Sequence, residues 1–114
     1  MSAITTHVLD TSAGKPGVGI PVVLEYKTHV SDWSVKAKGV TDAEGRIRDL
    51  LSSQEVFEPG QYRLTFETES YFQLRNIECF FPNVTISFVV KDTVQHYHVP
   101  LLISPYGYST YRGS

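Results

Sequence analysis

Histidines are the side chains of this sequence best suited to acid–base chemistry, and two of them stand close together. His96 and His98 are separated by one residue, and His7 lies near the other end of the chain. An imidazole with an ordinary pKa of about 6.5 can take a proton from water at neutral pH. The three side chains are therefore candidates for activating water, although an isolated strand histidine is more often a solvated surface residue.

Two histidines at this spacing on a strand can also bind zinc, and His7 could supply a third ligand. The clusters of cysteine, aspartate and glutamate that usually complete such a site are missing from the sequence. Ser114 has no G-x-S-x-G context of a nucleophile, and no glycine-rich segment matches a phosphate-binding loop. We therefore expect neither a metal nor a cofactor, and the residues alone favour no particular reaction.

The elements that must carry these side chains are short β-strands. Val, Ile, Thr, Tyr and Phe concentrate in short runs between Gly, Pro, Asn and Asp clusters, which is typical of an all-β fold. In the run that carries the histidine pair, alternation predicts a core face made of Tyr97, Val99, Leu101 and Ile103. The opposite face, which we expect to point outward, consists of His96, His98, Pro100 and Leu102.

We predict an antiparallel β-sandwich of seven to eight strands. The predicted strands are residues 4–9, 22–27, 33–40, a short edge piece from Arg46, 62–67, 84–90, 96–103 and 106–114. In the third of these, alternation places Trp33, Val35 and Ala37 inward. Pro100 cannot donate to a sheet ladder, so it predicts that its own strand lies at an edge or contains a bulge.

Two local motifs complete the predicted elements. Asp42 and Gly45 have the spacing of a type I turn with a left-handed glycine, which would reverse the chain just before Arg46. Ser70 and Gln73 fit a capping box, which predicts one short helix over residues 70–76.

Length and charge limit the classes of protein that the chain can represent. A chain of 114 residues fits one domain, residues 1–114, with one core but no deep cleft beside it. A net charge of −2 argues against nucleic-acid binding. The sequence has no run of about 18 apolar residues and no signal-peptide pattern at its start, so we expect no membrane partner. Because a chain of this length has no deep cleft of its own, we place any active site on its surface or between copies of the chain.

Two further features concern the compartment and the assembly. Cys79 is the only cysteine and cannot form a disulfide within the chain, which suits a reducing compartment. Charged residues make up 19% of the chain, below the roughly 25% of typical soluble domains. A low content of charged residues leaves more of the surface neutral or apolar, and this indicates oligomerisation.

Three motifs together resemble the 5-hydroxyisourate hydrolases, which are also called transthyretin-related proteins. The motifs are Thr6-His7-Val-Leu-Asp10, Thr41-Asp-Ala-Glu-Gly-Arg46 and the end of the chain, His98-Val-Pro-Leu-Leu-Ile-Ser-Pro-Tyr-Gly-Tyr-Ser-Thr-Tyr-Arg-Gly-Ser114. The final Tyr111-Arg-Gly-Ser114 is the most specific of these marks. The resemblance covers essentially the whole chain, and transthyretin itself shares the fold but lacks this tetrapeptide and the histidines.

The resemblance implies a transthyretin-like β-sandwich that forms a homotetramer, a dimer of dimers, with active sites at the dimer–dimer interface. It implies the hydrolysis of 5-hydroxyisourate to 2-oxo-4-hydroxy-4-carboxy-5-ureidoimidazoline, a step of urate degradation towards allantoin. The implied catalytic residues are His7, Arg46 and His98. The implied substrate-binding residues are Tyr111, Arg112, Gly113 and Ser114.

These residue types suit the implied reaction. Histidine can deprotonate water, and the permanently charged Arg46 can stabilise the developing oxyanion. We expect His7 and His98 to share the activation of water, with the choice of base left open, and His96 to shape the pocket. Ser114 is expected to bind substrate or water, and its terminal carboxylate is a further candidate.

A transthyretin-like carrier of a small ligand is the alternative function, and a purely structural module is a third. A carrier requires an apolar channel lining, whereas the grouping of His7, Arg46 and His98 is costly without a chemical role. The expected compartment is the cytoplasm. The peroxisome is an alternative, although the sequence does not end in Ser-Lys-Leu.

Overall fold

The computed structural model describes residues 3–29, 31–51 and 56–114, and these residues form two packed β-sheets with one short helix. The strands are β1 (Ile4–Asp10), β2 (Lys15–Pro16), β3 (Pro21–Lys27), β4 (Trp33–Val40), β5 (Arg46–Ile47), β6 (Gly60–Phe66), β7 (Val84–Val90), β8 (Tyr97–Ser104) and β9 (Gly107–Thr110). The helix α1 (Thr68–Gln73) connects β6 to β7. One sheet has the order β2-β1-β8-β9 with β5 also paired to β1, and the other has the order β4-β3-β6-β7. The predicted β-sandwich is thus confirmed, with seven longer strands and two of two residues.

One hydrophobic core lies between the two sheets. Alternate residues of β1 and β6 are buried, including Ile4 and Val8 from one sheet and Leu64 and Phe66 from the other. Each fully buried side chain of this size stabilises the fold by roughly 1.5–3 kcal/mol relative to exposure. The alternation that buries these residues also turns their neighbours outward, and the candidate site lies on that outer face.

The prediction of a wholly antiparallel sandwich is wrong at one place, because β1 and β8 pair in parallel. Both strands alternate with a period of two residues, and that period is the same in parallel and antiparallel sheets. The two strands are far apart in sequence and no hairpin joins them, so a local pattern could not reveal their direction.

The predicted inward face of β4 is wrong at Val35, whose side chain is 53% exposed. Ala37 pairs with Leu24, but Val35 pairs with Glu25, so Lys36 is an extra residue in the ladder. A β-bulge of this kind reverses the alternation beyond it. Trp33 is half-buried on the far side of the bulge.

The helix begins earlier than the capping box predicts, since it covers Thr68–Gln73 rather than residues 70–76. Ser70 does not cap it: the Ser70 hydroxyl donates to the carbonyl of Glu67, and the first helical residue is Thr68. The start is fixed instead by the neighbouring loop, because the Thr68 hydroxyl donates to the Phe81 carbonyl. The beginning of the helix therefore makes a hydrogen bond to a residue distant in sequence and has no capping box.

Pro100 lies in an internal strand and not at the predicted edge, since β8 is flanked by β1 and β9. Its effect is to end the pairing with β9, whose ladder stops at Leu101 and Thr110. The Thr110 hydroxyl donates to the Pro100 carbonyl at 2.7 Å, and beyond it the tail keeps one isolated antiparallel bridge, between Gly113 and His98. The predicted last strand, residues 106–114, therefore ends at Thr110.

No helix in the described ranges is long and apolar enough to cross a membrane.

Candidate active site

Strand β1 aligns the sequence-predicted residues on one face. His7 lies opposite Arg46 of β5, and Thr5 lies opposite His98 of β8. Directly opposed residues share a face of a sheet, and so do residues two apart on one strand. Ile4 and Thr6 are buried, so the alternate side chains of β1, those of Thr5 and His7, point away from the core. The opposed side chains of His98 and Arg46 therefore lie on the same outer face. The structure thus brings together residues from three separate segments.

Arg46 is set beside β1 by the turn that precedes it. The Asp42 carboxylate accepts hydrogen bonds from the backbone N–H groups of Glu44 and Arg46, both at 2.9 Å. Gly45 has a φ of 78°, and a Cβ there would collide with the Val8 carbonyl oxygen. The predicted turn and its left-handed glycine are confirmed, and they place the guanidinium at the site.

An open cavity of about 370 Å³ lies on this face. Its lining includes Thr5, Arg46, His96, His98 and Ser114. Arg46 of β5, His98 of β8 and His96 just before β8 therefore face the same space as the end of the chain. A cavity with this lining suits a small polar molecule better than an apolar one.

His98 is the half-buried imidazole of the cavity. Burial lowers its pKa, and the positive charge of Arg46 and the nearby His7 and His96 lower it further, against a hydrogen bond with the Thr5 backbone that raises it. A histidine with a lowered pKa is neutral at neutral pH, and only the neutral ring can accept a proton. The environment of His98 is therefore that of a general base.

His7 is held differently. Its Nε2 lies 2.9 Å from the backbone carbonyl oxygen of Glu44. A carbonyl only accepts, so His7 carries a proton on Nε2 and donates it to Glu44. Nδ1 is then the nitrogen that can accept a proton or orient a water molecule, and His7 does not itself line the cavity described above.

The four residues of the tail divide between two places. Gly113 donates its backbone N–H to the His98 carbonyl at 2.8 Å, and Ser114 reaches the cavity. Tyr111 and Arg112 instead line a second groove of about 240 Å³ on the other side of His98. The Arg112 guanidinium lies 4.6 Å from the centre of the Tyr97 ring. Within one chain, the structure does not bring Tyr111 and Arg112 to the cavity of Arg46.

Besides the buried Thr6, sequence reasoning missed three polar residues of the cavity: Thr5, Arg48 and Asp49. Thr5 is the one with direct contacts, since its hydroxyl lies 2.9 Å from His96 Nε2 and 2.8 Å from His98 Nδ1. The available signal was its position on the same strand face as His7. The exposed Arg48 is paired with Glu44 at 2.6 Å.

Within the described ranges, no three or more His, Cys, Asp and Glu side chains are grouped so as to hold a metal ion. Nε2 of His96 and Nδ1 of His98 both contact the Thr5 hydroxyl.

Two packed sheets in this strand order, with histidine and arginine on one outer face, define a transthyretin-like β-sandwich with a polar site. The chain belongs to the HIUase/Transthyretin family, whose family model matches residues 4–113. A 5-hydroxyisourate hydrolase of Salmonella dublin is 45% identical over 111 residues, which make up 97% of this chain and 80% of that protein.

Solved structures give the same family. The 5-hydroxyisourate hydrolase of Klebsiella pneumoniae matches with a TM-score of 0.83 and 40% identity, over 97% of this chain and 98% of that one. Sea bream transthyretin in complex with thyroxine matches with a TM-score of 0.91 and 30% identity, over 98% and 95% of the two chains. The hydrolase and the transthyretin thus share this backbone, and the side chains of the site must distinguish the two kinds of protein.

Proposed function

We infer that this chain is a 5-hydroxyisourate hydrolase, which opens the six-membered ring of its substrate to give 2-oxo-4-hydroxy-4-carboxy-5-ureidoimidazoline in urate degradation. The identity of 45% with the Salmonella dublin enzyme supports this activity. The single observation that carries the chemistry is a neutral, half-buried His98 facing the same cavity as Arg46. A base and a fixed cation in one cavity are what amide hydrolysis requires.

His98 is the base in the proposed mechanism. Its Nδ1 contacts Thr5, so Nε2 is the nitrogen left to face a water molecule in the cavity. Nε2 takes a proton as the water oxygen bonds to the ring amide carbon. The same proton then passes to the amide nitrogen when the carbon–nitrogen bond breaks. His7, with Nδ1 as its available acceptor, orients the water.

Arg46 stabilises the negative charge that develops on the carbonyl oxygen. Its guanidinium cannot act as a base, because it stays protonated at all relevant pH values. Its planar set of donors matches a flat substrate with carbonyl and amide groups, so it also binds the ground state. The turn at Asp42 holds the Arg46 backbone in place, which limits the reorganisation needed during the reaction.

The tail and the assembly complete the proposed site. Ser114 binds substrate or water from within the chain, and Gly113 packs against His98. We assign Tyr111 and Arg112 to substrate binding in a homotetramer, a dimer of dimers, in which the outer faces of two sheets enclose the open cavity. Residues 1–114 act as one domain in this proposal, and the cytoplasm is the proposed compartment.

The alternative of a small-ligand carrier has support in the backbone match to sea bream transthyretin, whose structure contains thyroxine. The lining of the cavity argues against it. Arg46, His96 and His98 would have to be desolvated by an apolar ligand, which is costly without compensating charge. A polar, hydrolysable molecule satisfies these groups instead.

The deciding experiment follows the absorbance of 5-hydroxyisourate made freshly from urate with a urate oxidase. Addition of the protein should accelerate the decay well beyond the uncatalysed rate, and prior treatment with a strong chelator should leave the acceleration unchanged. The control is an equal amount of heat-denatured protein. Decay at the uncatalysed rate would exclude the hydrolase, and a rate abolished by the chelator would exclude the metal-free mechanism.

A further inference from the structure

Thr5 contacts two histidines, His98 of β8 and His96 just before that strand, through one hydroxyl group. Its Oγ1 lies 2.9 Å from Nε2 of His96 and 2.8 Å from Nδ1 of His98, both within ordinary hydrogen-bond distance. The two rings are nearly parallel, with an interplanar angle of 16° and 6.5 Å between their centres. The pairing of Thr5 with His98 across the β1–β8 ladder fixes this geometry in the backbone.

The number of protons restricts how this group can bond. A threonine hydroxyl has one proton to donate, so it can donate to only one of the two ring nitrogens. When Thr5 donates to one ring, the nitrogen of the other ring must carry a proton of its own and donate to Thr5. Two neutral arrangements keep the hydroxyl proton between the rings in this way, and the direction of both hydrogen bonds is opposite in them.

The two arrangements differ in the nitrogen that His98 presents to the cavity. When Thr5 donates to His96, His98 must donate from Nδ1, and its Nε2 then carries a lone pair. When Thr5 donates to His98, its neutral ring carries the proton on Nε2. The proton on one ring nitrogen is thus set by the hydrogen bond at the other. Only the first arrangement makes His98 a base towards the cavity.

We propose that Thr5 is a positioning residue for the hydrolysis, which donates to His96 and so holds His98 in the tautomer whose Nε2 accepts a proton from water. This inference rests on the proposed hydrolase function.

Several charged groups face His98 besides the one invoked. Arg46 from β5 and His7 from β1 act on it through space, as His96 does, and all three lower its pKa. Arg48 and Asp49, after β5, line the same cavity. These groups act on His98 through space, whereas the effect proposed for Thr5 depends on one hydrogen bond, so removal of the Thr5 hydroxyl separates the two.

Thr5→Val and Thr5→Ser are the first test. Valine keeps the branched shape that suits a strand and removes the hydroxyl, while serine keeps the hydroxyl. We expect Thr5→Val to lower kcat roughly tenfold, the order expected for one hydrogen bond, with KM within about twofold. Thr5→Ser should retain most of kcat. The matched control is Thr65→Val, which removes a strand hydroxyl whose hydrogen-bond partner among the described residues is Thr85, at 3.3 Å.

The second test removes the acceptor of the Thr5 proton. His96→Ala takes away the ring to which Thr5 donates, so Thr5 is free to donate to His98 and kcat should fall. In the Thr5→Val background the same substitution should have little further effect, because the hydroxyl is already missing. An equal fall of kcat in the two backgrounds would overturn the proposal.

The third readout does not depend on turnover. Long-range proton–nitrogen correlation spectra distinguish the two neutral tautomers of an imidazole. His98 should be protonated on Nδ1 in the wild type, and Thr5→Val should change this while Thr65→Val does not. A wild-type His98 protonated on Nε2 would overturn the proposal even in an active enzyme. A protein without hydrolase activity but with the expected tautomer would refute the proposed function alone.

Discussion

Gly113 lies against the imidazole ring of His98. A Cβ at position 113 would stand only 2.6 Å from His98 Cδ2 and 3.2 Å from Pro100 Cγ, and the first of these distances is shorter than a real contact allows. The backbone N–H of Gly113 also donates to the His98 carbonyl. The tail therefore holds both the backbone and the ring of His98, and glycine is required because no side chain fits between them.

Gly113→Ala should consequently lower turnover by displacing the His98 ring. A displacement of the order of an ångström at a reacting group costs roughly tenfold to hundredfold in rate. The measurement is kcat in the 5-hydroxyisourate decay assay. Gly107→Ala is the matched control, because its Cβ would lie at an ordinary 3.6 Å from Ser104 Oγ. Equal rates for the two variants would show that the contact of Gly113 with the ring has no role in catalysis.

His98→Ala should lower kcat by at least about 100-fold, the lower end of the contribution of a positioned general base. The variant should fold, because His98 is only half-buried and lies on the outer face of its sheet. The measurement is turnover at saturating substrate, with the circular dichroism spectrum as a check of the fold. His29→Ala, at an exposed position between β3 and β4, serves as the control. A His98→Ala protein with nearly full activity would refute the assignment.

The sequence predicted the face on which His98 lies but not what lies beside it. Alternation with the buried Tyr97 and Val99 was enough to turn His98 outward. The partners across the ladder depend on the parallel pairing of β1 with β8, and Thr5 is 93 residues away along the chain. Pairing over such a distance is decided by the packing of the whole sandwich, which no local pattern encodes.

The remaining differences between prediction and structure have the same origin. Val35 is turned outward by a bulge at Lys36, and the start of α1 is fixed by Phe81 rather than by Ser70. The turn at Asp42 was predictable, because the hydrogen bonds that reverse the chain there are made within five residues. Features whose hydrogen bonds are made mainly by nearby residues could be predicted from the sequence. Features that depend on contacts across the sandwich could not.

Arg46→Gln should change the pH dependence as well as the rate. Burial and then the charge of Arg46 hold the pKa of His98 below its ordinary value of 6.5, so the wild-type acid limb of kcat/KM should have its midpoint below that value. Without the charge the pKa rises, and the limb should move to higher pH. Loss of oxyanion stabilisation should also lower kcat roughly 100-fold.

Arg46→Lys is the control for this prediction, because it keeps the charge and removes the planar set of donors. Its acid limb should stay closer to that of the wild type, while kcat still falls. The measurement is a profile of kcat/KM against pH for the three proteins. An acid limb at the same pH in Arg46→Gln and the wild type would show that Arg46 does not act on His98 electrostatically.

Tyr71→Phe should lower stability without changing turnover. The Tyr71 hydroxyl donates to the buried Asp10 carboxylate at 2.7 Å, and burial together with this bond raises the pKa of Tyr71 to about 12. Burial alone would raise the pKa of Asp10, but hydrogen bonds from Ser12, Tyr71 and the backbone outweigh it and lower that pKa. Removing the donor should cost about 1–3 kcal/mol of unfolding free energy at neutral pH.

The sign of the pH dependence provides the check on this contact. Because the pKa of Asp10 is lowered on folding, its contribution is complete above the ordinary value of 3.8 and is lost as pH falls through the lower value of the folded state. Urea denaturation should therefore separate Tyr71→Phe from the wild type at neutral pH and less in strong acid. Tyr106→Phe, at a side chain 69% exposed, should change the midpoint little. A difference that did not shrink in acid would show that the stability comes from packing of the ring rather than from the charged Asp10.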